Sequence, residues 1–93
     1  MKWIEMIRVT SSAAGAEEMK LYLEPQLHAL QMTCKRLESS FLLQNAQYEG
    51  DLAIIMAWND DSPPDKSRNG LLLAALVAKH GPVCHEIWTL ATE

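Results

Sequence analysis

The hydrophobic and polar positions in the first third of the chain follow a strand period and then a helix period. Residues 2–10 mix β-branched and aromatic residues, and after Lys2 only Glu5 and Arg8 interrupt them, which predicts a first strand. Residues 14–36 repeat apolar positions at steps of three and four, which predicts a helix capped by Ser11 or Ser12. Pro25 predicts a kink or a restart near residue 24. The apolar side of this helix consists of Met19, Leu23, Leu27, Leu30 and Cys34.

The remaining two thirds of the chain predict three more strands and a second helix. Residues 41–47 and 52–58 are short strand-like runs joined by a reversal at Gly50, so they form a hairpin. Residues 59–67 contain Pro63-Pro64 and form a loop whose Asp65 or Ser67 can cap a helix. A second helix follows and ends at Gly81-Pro82, and residues 83–90 form the last strand. The predicted inner side of this helix consists of Leu72, Leu73, Leu76, Val77 and His80.

This order of elements is that of a ferredoxin-like α+β fold. One domain over residues 1–93 with the order β-α-β-β-α-β predicts a four-stranded antiparallel sheet, order 4-1-3-2, with two helices on one face. Residues 52–58 are apolar at every position, as expected of a central strand. The second and fourth strands carry polar residues, as expected at the edges: Gln44, Asn45, His85 and Glu86.

The apolar third strand also bears on assembly. A sheet with helices on one face normally shows polar residues at every other position, yet both sides of this strand are dry. One explanation is that the helix-free face packs against a second copy, because most soluble assemblies are symmetric homodimers. The alternative is that neighbouring strands and long side chains shield the strand within one chain.

Composition and charge exclude several classes of partner. The formal net charge is −4 and the eight Lys and Arg residues are scattered, which argues against nucleic acid. The apolar runs are much shorter than a membrane span, and the N-terminus lacks the pattern of a secretory signal. Cys34 and Cys84 are too few for a disulfide framework and have no metal-ligand spacing. We therefore expect a cytoplasmic protein with two buried thiols and with no membrane contact.

The third strand ends in Trp58-Asn59-Asp60, and the last strand carries Trp88. With the order of elements, these features resemble the dimeric α+β barrel superfamily, particularly the antibiotic-biosynthesis-monooxygenase-like domains. The resemblance implies a homodimer joined through the sheets and a small hydrophobic ligand between helices and sheet. Some of these domains oxidise such a ligand without a bound cofactor, while relatives degrade haem or have no known activity, so the resemblance implies no cofactor for this chain. The strand asparagine and the histidine after Trp58 of the haem-degrading relatives are absent, which disfavours haem chemistry.

Five residues are candidates for lining a pocket. Glu5 and Arg8 are ionisable groups on a central strand, and a spacing of three places them on opposite faces. One can line a pocket and the other the dimer seam, or both can reach solvent at a strand end. Trp58 and Trp88 can stack on a planar ligand, as can Trp3, although tryptophans in a short domain also serve as core.

Histidine 85 is the fifth candidate. It shares its strand face with Ile87 and Thr89 and can act as an acid or base near neutral pH. It cannot form a pair with Cys84, because adjacent strand residues point to opposite sides. His28 and His80 are expected to be structural or solvated. The spacing of the three histidines gives no metal site.

Two functions remain open. The first is a non-catalytic homodimeric module that binds a small hydrophobic molecule or stabilises a partner. The second is a cofactor-independent monooxygenase, which requires a cavity containing Trp58 or Trp88 together with Arg8, Glu5 or His85. No catalytic constellation is visible in the sequence, which favours the module.

Overall fold

The computed structural model describes residues 1–92, and all four of its strands belong to one antiparallel sheet. The strand order is β2-β3-β1-β4, which is the predicted order written from the other edge. The ferredoxin-like order of elements is confirmed. The elements are β1 Trp3–Thr10, α1 Ala13–Thr33, β2 Leu37–Gln44, β3 Asp51–Trp58, α2 Arg68–Val77, a 3₁₀ turn Ala78–His80 and β4 Val83–Thr89.

Strand β1 lies at the centre of the sheet and its two faces have different partners. It pairs with β3 and β4 along its length, from Trp3 opposite Trp58 to Val9 opposite Leu52. Its odd-numbered residues are buried beneath the helices, and its even-numbered residues face away from them. Because β3 and β4 follow the same alternation, the sheet has a helix-covered face and a helix-free face. The core fills the space under the helices, and its members include Ile7, Ile54, Met56, Leu23 and Val77.

The first helix forms as predicted on its apolar side. Ser12 is the N-cap, and its side chain accepts a hydrogen bond from the backbone N–H of Gly15. Met19, Leu23 and Leu27 are buried, as the spacing indicated. The helix runs through Pro25 as one element without the predicted restart, and it ends at Thr33 rather than at residue 36.

The second strand is displaced from its predicted position. It spans Leu37–Gln44 instead of residues 41–47, because Leu37 enters the core while Asn45 begins the turn. The side-chain oxygen of Asn45 accepts from the backbone N–H groups of Gln47 and Tyr48, which is a turn arrangement rather than a strand. The reversal before β3 was therefore predicted, but the strand leading into it was placed several residues too late.

The inner side of α2 was predicted only in part. Leu73 and Val77 are buried, but Leu72 is 62% exposed and Gly70 takes the remaining inward position. The run of three consecutive leucines does not show which of them faces the core. Gly70 can be recognised as an inward position only from its contact with Glu5. His80 lies in the 3₁₀ turn that follows rather than in the helix.

The helix-free face shows how the apolar third strand is covered within one chain. Ile55 and Ala57 lie on this face, yet each is only 5% exposed. Ile55 lies between Met6 and Phe41 on the two flanking strands, and these long side chains cover it. Shielding by neighbouring strands within one chain therefore explains why the centre of β3 is buried on both faces. The exposed apolar side chains of this face belong instead to the strands around the centre of β3, and they include Phe41, Leu43 and Trp88.

Within residues 1–92, none of the helices is both long and apolar enough to cross a membrane.

Candidate functional site

The carboxylate of Glu5 is the one buried charged group in the described part of the chain, and it is fully enclosed. Its Oε1 accepts hydrogen bonds from the Trp58 indole N–H at 3.1 Å and the Ser67 hydroxyl at 2.7 Å. Its Oε2 accepts from the Ser67 backbone N–H at 3.0 Å and contacts His85 Nε2 at 2.6 Å. A carboxylate has about four lone-pair positions, so these partners occupy all of its acceptor capacity.

This arrangement joins the sheet to the start of α2. Ser67 is the N-cap of that helix, and its hydroxyl accepts from the Gly70 N–H while it donates to Glu5. A carboxylate at a helix N-terminus also interacts favourably with the helix dipole. The two hydrogen bonds from Ser67 therefore fix the start of α2 over β1. Together with those from Trp58 and His85, they compensate for burying the charge of Glu5.

Glycine 70 makes the close approach possible. A Cβ atom at this position would collide with the carboxylate oxygens of Glu5, so any larger residue would displace one of the two groups. Glycine is the residue used where another group must come this near to a backbone. Gly70 therefore belongs to the Glu5 site although it carries no chemistry of its own.

His85 is held by the same carboxylate. Its side chain is 7% exposed and lies on the helix-covered face, which it shares with Ile87 as predicted. Since the carboxylate can only accept, Nε2 of His85 donates to it, and a neutral imidazole then presents Nδ1 as an acceptor. Glu5 thus orients the ring of His85 and has no acceptor position left for a ligand.

A cleft opens next to this network, at the end of the sheet where β3 finishes and α2 begins. It has a volume of about 160 Å³. Trp3 and Trp58 stack at its base with ring centroids 5.5 Å apart, and the Arg36 guanidinium lies 5.9 Å from the Trp58 ring centre. Asp60 accepts from the Trp3 indole N–H at 3.4 Å and pairs with Arg36 at 3.4 Å. The remaining lining residues are Ser62, Pro63, Asp65, Ser67 and Arg68.

Trp58 connects the two parts of the site. Its indole N–H bonds to Glu5, while its ring forms part of the cleft. A ligand that moved this ring would also disturb the carboxylate network. The site therefore combines a cleft of two tryptophans and mostly polar side chains with a buried Glu5–His85 pair, to which Trp58 connects through its hydrogen bond to Glu5.

The other two candidates lie on the opposite face of the sheet. Arg8 pairs with Glu86 at 3.3 Å within the chain, and its pKa is raised by a hydrogen bond to Cys84 and by the charge of Glu86. Trp88 is 53% exposed. The structure thus brings Glu5, Trp58 and His85 together and leaves Arg8 and Trp88 apart from them.

The two thiols were predicted to be buried, and this is wrong for one of them. Cys84 is exposed beside Arg8 because it alternates onto the helix-free face, and Cys34 is half-buried at the end of α1. The described residues contain no group of three metal-binding side chains.

A second polar pair lies between α1 and the 3₁₀ turn. The rings of Tyr22 and His80 stack with centroids 6.0 Å apart, and the Tyr22 hydroxyl and His80 Nε2 are both buried without a hydrogen-bond partner among the described residues. Burial raises the pKa of Tyr22, and the nearby charge of Glu18 adds to this shift. Neither residue borders the Trp58 cleft.

Ser67 and Gly70 are two of the four site residues that the sequence did not assign to the site. Ser67 was recognised only as a helix cap, and Gly70 lay within a helical pattern. The available indication was Glu5 itself, since a charge facing the core requires donors, and a helix N-terminus supplies them. Arg36 and Asp60 were also missed, because they come together from the ends of β2 and β3.

Comparison with solved structures places the fold among those of antibiotic-biosynthesis-monooxygenase-like proteins. Rv0793 from Mycobacterium tuberculosis matches with a TM-score of 0.71 at 14% identity, covering 100% of this chain and 98% of that one. A proposed antibiotic biosynthesis monooxygenase from Nitrosomonas europaea gives 0.68 at 14%, covering 96% and 89%. SnoaB from Streptomyces nogalater, a cofactor-independent oxygenase, gives 0.59 at 13%, covering 100% and 97%.

These matches confirm the predicted resemblance at the level of the fold. Neither the protein-family sequence models nor the sequences of curated proteins contain a match to this chain. Fold similarity at such low identity does not transfer an activity, since one fold carries many functions.

Proposed function

We propose that this chain is a homodimeric module that binds a small hydrophobic molecule. The observation that carries the proposal is the apolar helix-free face of the sheet. Phe41, Leu43 and Trp88 remain 46%, 48% and 53% exposed on it, around a centre formed by Met6 and Ile55. Contiguous exposed apolar surface on a small protein marks a contact site, and a second copy is the commonest partner.

The charges on this face support pairing with a second copy. Arg8 and Glu86 neutralise each other within the chain, so two copies of the face can meet without uncompensated charge at that position. The centre of the face carries no charge, as expected for the core of an interface. The outer faces of the helices would then remain in solvent.

The dimer is tested by placing a charge at the centre of the helix-free face. Met6→Lys is expected to give a folded monomer, because a lysine there can reach solvent in one chain but would be buried between two. Leu21→Lys is the control, since Leu21 is 80% exposed on α1, away from the sheet. Sedimentation equilibrium at micromolar concentration should show dimers for the unmodified protein and for Leu21→Lys. A monomeric unmodified protein would contradict the proposed dimer.

The proposed ligand site is the Trp58 cleft. Its tryptophans are almost fully buried and offer a flat molecule only a small apolar surface, while the Arg36 and Asp60 side chains can orient a polar substituent. Glu5 and Ser67 hold the wall of the cleft in place without contributing a free acceptor. This is the arrangement of a binding site with a rigid support.

The second candidate is a cofactor-independent monooxygenase. The Glu5–His85 contact favours it, but the Trp58 cleft does not meet its requirement, because Glu5, Arg8 and His85 do not line that cleft. An imidazole oriented by a carboxylate can remove a proton from a phenol, leaving an electron-rich anion that reduces O₂. For 1-naphthol the balanced reaction consumes one O₂ and gives 1,4-naphthoquinone and one water, with all electrons supplied by the substrate. The fold shared with SnoaB is consistent with this chemistry.

One ligand distinguishes the two candidates. With 1-naphthol, we expect the indole N–H resonances of Trp3 and Trp58 to shift while that of Trp88 stays fixed, with a dissociation constant of about 0.1 to 1 mM. Ser62→Phe should fill the cleft and abolish the shifts, whereas Gln47→Phe, in the other loop, should not. Shifts confined to Trp88 would contradict the cleft as the binding site.

Oxygen uptake in the same samples tests catalysis. The module predicts none above the uncatalysed rate. The monooxygenase predicts one O₂ consumed for each naphthoquinone formed, with loss of turnover in His85→Gln, which keeps a donor for Glu5 but lacks the titratable ring. Turnover that survives His85→Gln would exclude His85 as the base.

A further inference from the structure

Trp88 projects from one corner of the helix-free face. It lies on edge strand β4, opposite Ile4 in the register, and is 53% exposed, whereas Trp3 and Trp58 are almost fully buried. A large aromatic side chain with a polar N–H is the type of residue that anchors interfaces. In a single chain, about half of the Trp88 side chain therefore has no protein contact and faces solvent.

A cavity lies near the opposite corner of the same face. Its volume is about 260 Å³. It exists because Ala53 on β3 is short, while its register neighbours Arg8 on β1 and Leu43 on β2 are long and stand on either side. Thr10, Gln44, Asn45 and Asp51 form the polar rim, with Val9 and Leu52 contributing at the base.

The chemistry of the cavity suits an indole. Leu43 and Ala53 supply apolar contact, and the Arg8 guanidinium can lie against the face of the ring as a cation–π partner. Asp51 at the rim offers carboxylate oxygens that can accept from an indole N–H, which needs such a partner when it is buried.

Two-fold symmetry allows the exposed indole of one copy to meet the cavity of another. Trp88 and Ala53 are two strand spacings apart across the sheet, which is about 10 Å, and four residues apart along the strands, which is about 13 Å. Two copies can stack with their helix-free faces together and a two-fold axis midway between the two sheets. If this axis is perpendicular to the line from Trp88 to Ala53 and passes over its midpoint, it places Trp88 of each copy over Ala53 of the other. The strands of the two sheets then cross at roughly 70°, near the orthogonal packing known for sheet pairs.

We infer that in the homodimer the Trp88 indole of each copy inserts into the cavity around Ala53 of the other. The contact occurs twice because the interface is two-fold symmetric. This inference rests on the proposed homodimer and adds the residue that fixes its register. It also gives Arg8 a second contact in addition to its ion pair with Glu86.

The test compares Trp88→Ala with Phe41→Ala, an aromatic residue of similar exposure on the same face. Trp88→Ala should raise the dimer dissociation constant about 100-fold or more, since two anchors are lost, whereas Phe41→Ala should raise it about tenfold or less. Both side chains are half exposed in one chain, so the monomer should keep its fold. Sedimentation equilibrium measures the constants.

Ala53→Phe provides the second arm. It fills the cavity and should weaken the dimer although it adds apolar surface, whereas a merely hydrophobic interface would be strengthened. In the double variant with Trp88→Ala, the change at Ala53 should have no further effect, because no indole enters the cavity.

Three outcomes would overturn the inference. Equal effects of Trp88→Ala and Phe41→Ala would remove the special role of Trp88. Additive effects of Trp88→Ala and Ala53→Phe would show that the two residues do not meet. In both cases the dimer itself would stand, whereas a monomeric unmodified protein would contradict the proposed function together with the inference.

Discussion

Replacing Gly70 with alanine is expected to destabilise the protein by about 3 kcal/mol or more, through a single added methyl group. The new Cβ would overlap the carboxylate of Glu5. That carboxylate cannot move aside without breaking hydrogen bonds to Trp58, Ser67 and His85, since each of its oxygens has two partners. The alternative is that α2 moves away from the sheet, which opens the core at Leu73 and Val77.

Gly15→Ala is a closely matched control for this effect. Gly15 and Gly70 are each the third residue after a serine N-cap, and each donates its N–H to that serine. A Cβ at Gly15 meets the side chain of Ser11, which can rotate away. Alanine is favoured over glycine in a helix by up to about 1 kcal/mol, so Gly15→Ala should be neutral or stabilising.

Urea unfolding of the two variants, followed by circular dichroism, measures the difference. Similar free energies of unfolding for the two would show that the Glu5 carboxylate yields easily and that the network is loose. Gly70→Ala should also shift the indole N–H resonance of Trp58, while Gly15→Ala leaves it in place. The spectroscopic change would locate the strain at Glu5 rather than in the helix alone.

The fold was predictable because its determinants are local in the sequence. The alternation of residues 2–10, the apolar run at 52–58 and the proline-containing loop at 59–67 each define an element without knowledge of the others. The strand order then follows from the order of elements. The start of β2 was not predictable, since Leu37 joins the strand by pairing with Trp58 and by entering the core.

The site was predictable only as separate residues. The sequence placed Glu5 and Arg8 on opposite faces and His85 on a face with Ile87, and the structure confirms both placements. It could not show that Glu5 and His85 share a face and meet, because this depends on the register of β1 with β4. The approach of α2 depends on Gly70, whose role is a contact with a residue 65 positions earlier.

The apolar third strand illustrates a different limit. Its composition indicated that both faces are covered, which is correct, but composition does not tell what covers them. Met6 and Phe41 shield Ile55 within one chain. The case for a dimer therefore comes from the exposed neighbours of β3 and not from β3 itself.

Glu5→Ala is expected to have the second large effect, a loss of about 3 to 5 kcal/mol in the free energy of unfolding. The change removes a single acceptor group and leaves buried donors on Trp58, Ser67 and His85 without partners. It also leaves a cavity beneath Gly70. Glu5→Gln keeps the shape and some of the hydrogen bonds, and should cost about 1 to 3 kcal/mol, because its amide nitrogen faces donors instead of accepting from them.

Glu86→Ala on the neighbouring strand is the control for this loss. Glu86 also has one basic partner, Arg8, but it lies on the helix-free face with 31% of its side chain exposed. Exposed ion pairs contribute about 0 to 1 kcal/mol, so in the monomeric Met6→Lys background, where this pair is not covered by a second copy, its removal should change stability little. Chemical denaturation of the three variants gives the comparison. If Glu5→Ala and Glu86→Ala cost the same, Glu5 does not anchor α2 to the sheet, and the rigid wall of the proposed ligand cleft loses its support.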